Sequence, residues 1–142
     1  METIKKIEQL IDHYENHFDK MSIDGLLNMS DKFAILNCRL GDIMVDYSHT
    51  YLKTYLDRKL MNAGLKIGFQ SSGDSNAKAT DKAQLQIKGV KDKEISHEID
   101  FMYVKEKRRS VEKLLQSIQQ RISYLKQEKN RMNNLGNNQN QK

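Results

Sequence analysis

The chain has 142 residues, 37% of them hydrophobic, with no proline, no tryptophan and a net charge of +5. A mean hydropathy of −0.78 leaves a thin core for one chain, and no stretch approaches the ~18–20 consecutive apolar residues of a membrane span. The single cysteine, Cys38, excludes an internal disulfide and cannot alone build a zinc site, so an intracellular chain is expected.

Residues 2–20 read as a helix, because Ile4, Ile7, Leu10/Ile11, Tyr14 and Phe18 recur at three and four residues. The mixing of apolar and charged positions over residues 1–30 argues against a signal peptide. His13 and His17 stand four apart, but HYENH matches neither zinc-protease order and no third ligand has a place, so no metal is expected. Residues 21–30, with Gly25 and two serines, read as a turn or a broken short helix. Ser30 caps a second helix that runs to about residue 63, with Gly64 as its terminator.

That second helix has a seam of Phe33, Leu36, Leu40, Ile43/Met44, Tyr47, Tyr51 and Tyr55, in which Cys38 reads as a small buried apolar residue. Leu52, Leu56 and Leu60 form another stripe about 100–140° round the axis. Two stripes ask for two packing partners. Gly41 inside the helix marks close packing or a bend.

Residues 64–79, rich in Gly, Ser and Asn, read as a flexible loop. Gly68 and Gly73 have P-loop spacing, but Asp74 stands where the phosphate-binding lysine belongs, so no nucleotide site is expected. Residues 80–88 suggest a short helix.

Residues 91–135 then run without glycine or proline; as one helix they would extend roughly 65–70 Å. Such a rod exceeds the needs of one small globule, and self-association is expected. Ile95, Ile99, Met102 and Tyr103 share one face, while Val111, Leu114, Leu115, Ile118, Ile122 and Leu125 share another about 110° away. The change of face falls at residues 105–110, KEKRRS, where the helix bends, breaks or turns to a second neighbour. Lys105, Arg109 and Lys113 stand opposite the second seam, with Arg108 beside them. The fold class is therefore all-α, a single helical domain over 1–135 with a disordered polar tail over 136–142.

Charge is unevenly placed. Residues 1–50 carry 5 basic against 9 acidic side chains, while residues 103–142 carry 10 against 3. A basic carboxyl-terminal third suits a polyanion, against the plainer reading of a solvated lysine-rich face. Lys53, Arg58 and Lys59 lie near Tyr51 and Tyr55, and Lys105, Lys107, Arg108 and Arg109 near Tyr103. Cations beside aromatics suit single-stranded nucleic acid, although Tyr47 and Tyr51 fit the core seam better. Paired acids such as Glu94 and Glu98 read as surface charge, no Ser/His/Asp set is identifiable, and neither catalysis nor a cofactor is expected.

The order of a helix ending in LKTYLDRKL (residues 52–60), a Gly/Ser loop, DKAQLQI (81–87) and a final helix resembles the UvsY family of phage recombination mediators. In that final helix the pattern is carried by Glu112, Leu115, Ile118, Arg121, Leu125 and Lys126. The similarity covers about three quarters of the chain. Residues 52–57 are similar to the family's L-K-A-R-L-D: Lys53 matches, Tyr55 replaces the arginine, and Arg58 and Lys59 follow one turn on. The family's terminal W-x-x-F-x-x-G element lacks its aromatics here. The resemblance implies a ring-like homo-oligomer of more than four subunits in the cytoplasm of a phage-infected cell. It would bind single-stranded DNA through the cations above and Arg121. It would also help a recombinase load on DNA coated by single-strand DNA-binding protein, in recombination, repair and replication. The alternative is a non-catalytic helical phage structural or adaptor protein.

Overall fold

A computed structural model describes residues 2–139. The fold is all-α: α1 spans Glu2–His17, followed by a 3-10 turn Phe18–Lys20, then α2 Ile23–Ser71, α3 Asn76–Gln86 and α4 Lys88–Gln139. No strand occurs among the described residues. The chain divides into two compact units, Met1–Gly41 with Lys107–Lys142, and Asp42–Glu106. We call them unit 1 and unit 2; α2 and α4 contribute to both.

Unit 1 is a three-helix bundle. Ile4, Ile7 and Tyr14 of α1, Leu26, Met29, Phe33 and Leu40 of α2, and Val111, Ile118 and Ile122 of α4 are buried. The Tyr14 and Phe33 rings meet edge-on at 6.4 Å and tie α1 to α2. Lys107 Nζ reaches Glu8 at 2.9 Å, and Arg121 donates to the carbonyls of Phe18 and Asp19 at 3.1 and 3.3 Å. Both contacts step in the same direction, so α1 and this half of α4 run parallel.

Unit 2 is an antiparallel hairpin of α2 and α4 with α3 at one end. Three rungs set its register: Tyr51 stacked on Phe101 at 6.3 Å, Thr54 bonded to His97 Nδ1 at 2.9 Å, and Arg58 paired with Glu94. Ala79, Ala83, Ile87 and Val104 are its buried apolar residues.

Several expectations are corrected. The cap of α2 is Ser22, not Ser30: its Oγ accepts the Gly25 N–H at 3.1 Å, and buried Leu26 and Met29 extend the Phe33 stripe back through residues 23–30. Gly64 does not end α2, and most of the loop expected over 64–79 is helical, with a break only at residues 72–75. The glycine that stops the helix is Gly73, at φ +97°. Its N–H bonds Gln70 O, and Asp74 N–H bonds Phe69 O, the paired closure that satisfies the last carbonyls of a helix. A glycine inside a helix costs only about 1 kcal/mol, and half-buried Leu65 and Phe69 keep α2 on its seam beyond Gly64. Ser75 then caps α3 by accepting Lys78 N–H.

Helix α4 is continuous through residues 105–110. One three-and-four row of covered positions, Val90, Glu94, His97, Phe101, Val104, Arg108, Val111, Leu115, Ile118, Ile122 and Leu125, runs through residues 105–110, and in unit 1 Lys107, Leu114, Arg121 and Glu128 are covered beside it, so the covered face broadens there rather than switching. Ile95, Ile99, Met102 and Tyr103 lie off that line and are exposed, because polar Glu94 and His97 occupy the seam in their place. The α2 stripe of Leu52, Leu56 and Leu60 is likewise exposed, and so is Cys38. Gly41 shows no forced contact, since an added Cβ would lie 3.7 Å from the Arg108 guanidinium. Of the tail expected over 136–142, residues up to 139 continue α4 and residues 140–142 lie outside the described residues.

Candidate nucleic-acid interface

The cations singled out in the sequence differ in exposure, some largely covered and others on open helix faces. In unit 2, Arg58 is engaged: it forks onto Glu94 with both side chains largely covered, and the carboxylate holds the guanidinium more firmly charged. Lys53 and Lys59 are exposed, Lys59 with its ammonium 4.6 Å from the Tyr55 ring centre. Lys105 is exposed and sits 6.0 Å over Phe101. Tyr51 belongs to the seam, where burial, then Glu98 and Glu94, push its phenol above the ordinary range.

In unit 1, Lys107 is mostly covered and paired with Glu8. Arg108 lies along the seam, 3.3 Å from Glu112. Arg121 caps the end of the 3-10 turn through two backbone carbonyls and stacks over Phe18 at 5.2 Å, so its bonds satisfy carbonyls that a helix end leaves open. Arg109 is exposed.

The face of α4 that points away from the bundle continues from Arg109 through Lys113, Gln116, Gln120, Tyr124 and Arg131, all exposed. Only two carboxylates occur in α4 beyond residue 106. Glu112 turns to Arg108, and Glu128 accepts the Tyr124 hydroxyl at 2.6 Å. That hydrogen bond raises the Tyr124 phenol above its ordinary range, and the residue is 56% exposed. The result is a strip of three cations, hydrogen-bonding amides and one aromatic, with Glu128 at its edge bonded to that aromatic. Phosphates accept from guanidinium, ammonium and amide groups, and an exposed ring stacks on a base without reading its identity.

Reading the sequence for clusters of charge missed Gln116, Gln120, Tyr124 and Arg131. The signal was present as a periodic absence, positions three and four apart with no Asp or Glu among them.

His13 and His17 lie against each other on α1. Their rings stack at 4.5 Å and His17 Nδ1 donates to the His13 carbonyl at 2.8 Å. Among the described residues no three His, Cys, Asp or Glu side chains converge on a metal position, and no helix is long and apolar enough to cross a membrane. No family model, curated protein or solved structure matches the chain.

Proposed function

We propose that this chain is a non-catalytic single-stranded DNA-binding protein that acts as a homo-oligomer and mediates the loading of a recombinase on DNA coated by single-strand DNA-binding protein. The exposed strip of cations, amides and Tyr124 along α4 from Arg109 to Arg131 carries the binding half of this reading. The recombination half is supported by the resemblance of residues 52–57 and of Glu112–Lys126 to the UvsY family.

Three cations per subunit make a weak site. On a single strand each neutralised phosphate contributes ~0.7 to the salt slope, so one strip gives a slope of about −2 in log affinity against log salt. Several strips on one oligomer engaging the same strand convert that into tight, length-dependent binding. Such a protein would hold the strand extended before a recombinase nucleates, with no nucleotide of its own.

Fluorescence anisotropy of a labelled oligothymidylate, titrated at several salt concentrations, tests the reading. Binding should weaken steeply with salt and tighten with oligonucleotide length, and Arg109→Glu with Lys113→Glu should abolish it while helicity and mass are unchanged. No binding at low salt by an intact oligomer overturns the proposal in favour of a structural or adaptor role.

A further inference from the structure

Unit 2 exposes apolar side chains on the outer faces of both its long helices. On α2, Leu52, Leu56 and Leu60 are between 51% and 73% exposed; on α4, Ile95, Ile99 and Met102 are between 46% and 62% exposed. The seam rungs use Tyr51, Thr54 and Arg58 on one helix and Glu94, His97 and Phe101 on the other. The exposed residues lie on the opposite side of each helix, so the two stripes face away from each other across the hairpin.

The stripes differ in charge. Among the outward positions of α2 from residue 52 to 67 stand Lys53 and Lys59, with exposed Asp57 on the flank. The outward positions of α4 from residue 92 to 106 carry Asp92 and Glu106 with no base. Pairing either stripe with itself would oppose like charges. Pairing one with the other sets lysine against carboxylate around an apolar centre.

Their heights also agree. The rungs place Leu56 level with Ile95 and Leu52 level with Ile99, and Lys59 level with residues 92–93. A second hairpin set beside the first with no axial shift therefore brings leucines onto isoleucines and Lys59 onto Asp92.

We propose that the α2 stripe of one copy docks on the α4 stripe of the next copy of the same chain, a head-to-tail contact whose repetition makes a closed ring or an open filament rather than a two-fold dimer. This deepens the assembly half of the function proposed above and does not depend on its DNA half. It also assigns Lys53 and Lys59 to the rim of the subunit contact.

The test is a pair of variants of the full chain, Leu56→Glu and Ile99→Glu, followed by sedimentation and light scattering. Both positions are exposed in the single chain, so circular dichroism should show unchanged helicity. Each variant alone should run as a monomer of 16.6 kDa, while the wild type forms a larger species. Mixed together, the two variants should give a one-to-one dimer of about 33 kDa, because each retains the face that the other has lost. Charge exchange adds a second readout: Lys59→Asp and Asp92→Lys should each lower the wild-type mass, and their combination should restore it. A monomeric wild type, variants that keep its mass, or a mixture that stays monomeric overturns the proposal. DNA titrations on the same samples separate the two ideas: assembly without binding leaves the contact standing and removes the mediator role.

Discussion

Unit 1 and unit 2 are built from the same two long helices but hold together differently. Among the described residues, ten of the fourteen buried apolar ones lie in unit 1, whereas eleven of the seventeen large apolar side chains left exposed lie in unit 2. The difference follows from helix number. A third helix in unit 1 covers the flanks of α2 and α4, while in unit 2 the short α3 reaches only one end, and the seam there is filled by aromatic and charged pairs. A two-helix seam with polar rungs keeps its register but excludes little water. Unit 1 should therefore carry the stability of the isolated chain, and unit 2 should gain most from assembly.

The largest expected effect tests the first half of that contrast. Phe33 of α2 is fully buried in unit 1, edge-on to Tyr14 of α1, and Phe33→Ala should cost about 3–5 kcal/mol in urea unfolding. Hydrogen exchange on the same variant should show the loss in residues 1–41 and 107–139; equal loosening of residues 42–106 would make the division into two units meaningless. Next, Arg58→Leu leaves Glu94 largely covered and unpaired, and should cost about 1.5–3 kcal/mol. Adding Glu94→Leu should recover most of it, since a covered ion pair is often replaceable by packed apolar groups. Failure of the double variant to recover stability would show that the pair stabilises unit 2 rather than merely aligning it.

Smaller effects sharpen the picture at the helix ends. Ser22→Ala removes the acceptor for the Gly25 N–H and should lower the stability of unit 1 by about 1 kcal/mol, read as a shifted urea midpoint with unchanged slope. In unit 2 the Lys82 hydrogen bond, with Lys78 nearby, holds the Asp74 carboxyl below the usual carboxylate range. A folded value below the unfolded one means the contribution is present above the ordinary aspartate pKa of about 3.9 and lost as pH falls through the depressed folded value. Acidification below about pH 4 should thus lower the protection of residues 72–80 relative to their intrinsic exchange rates, and Asp74→Asn should remove that loss of protection. Exchange that ignores the substitution would show that Gly73 alone closes the corner.

Much of unit 1 was legible from spacing alone. The stripe from Ile4, the Phe33–Leu40 seam and the Val111–Ile122 seam are three-and-four repeats of apolar residues that are buried or half-buried, except that Phe18, expected at the end of the first, is exposed. Unit 2 was less legible because its seam partners are polar and distant in sequence. Glu94 is a seam residue only because Arg58 meets it, and His97 only because Thr54 does, and no one-dimensional count of apolar residues finds either. The count instead chose Ile95 and Ile99, which are apolar but uncovered. Gly64 and Gly73 were indistinguishable as terminators for a similar reason: what separates them is whether Leu65 and Phe69 have something to pack on. The candidate strip was half legible, since Arg109 and Lys113 stood out as charges while Tyr124 and the glutamines did not.

The three rungs of unit 2 have a mechanical consequence. Apolar seams permit slippage, because one leucine resembles another a heptad along. A seven-residue slide of α4 against α2 would carry Arg58 beyond the start of α4 at Lys88 and set Tyr51 against Glu94, leaving a guanidinium without its carboxylate and that carboxylate on a ring. The hairpin is thus keyed like a toothed rack, and a pull along either helix would meet resistance at one register and yield abruptly, all three rungs at once.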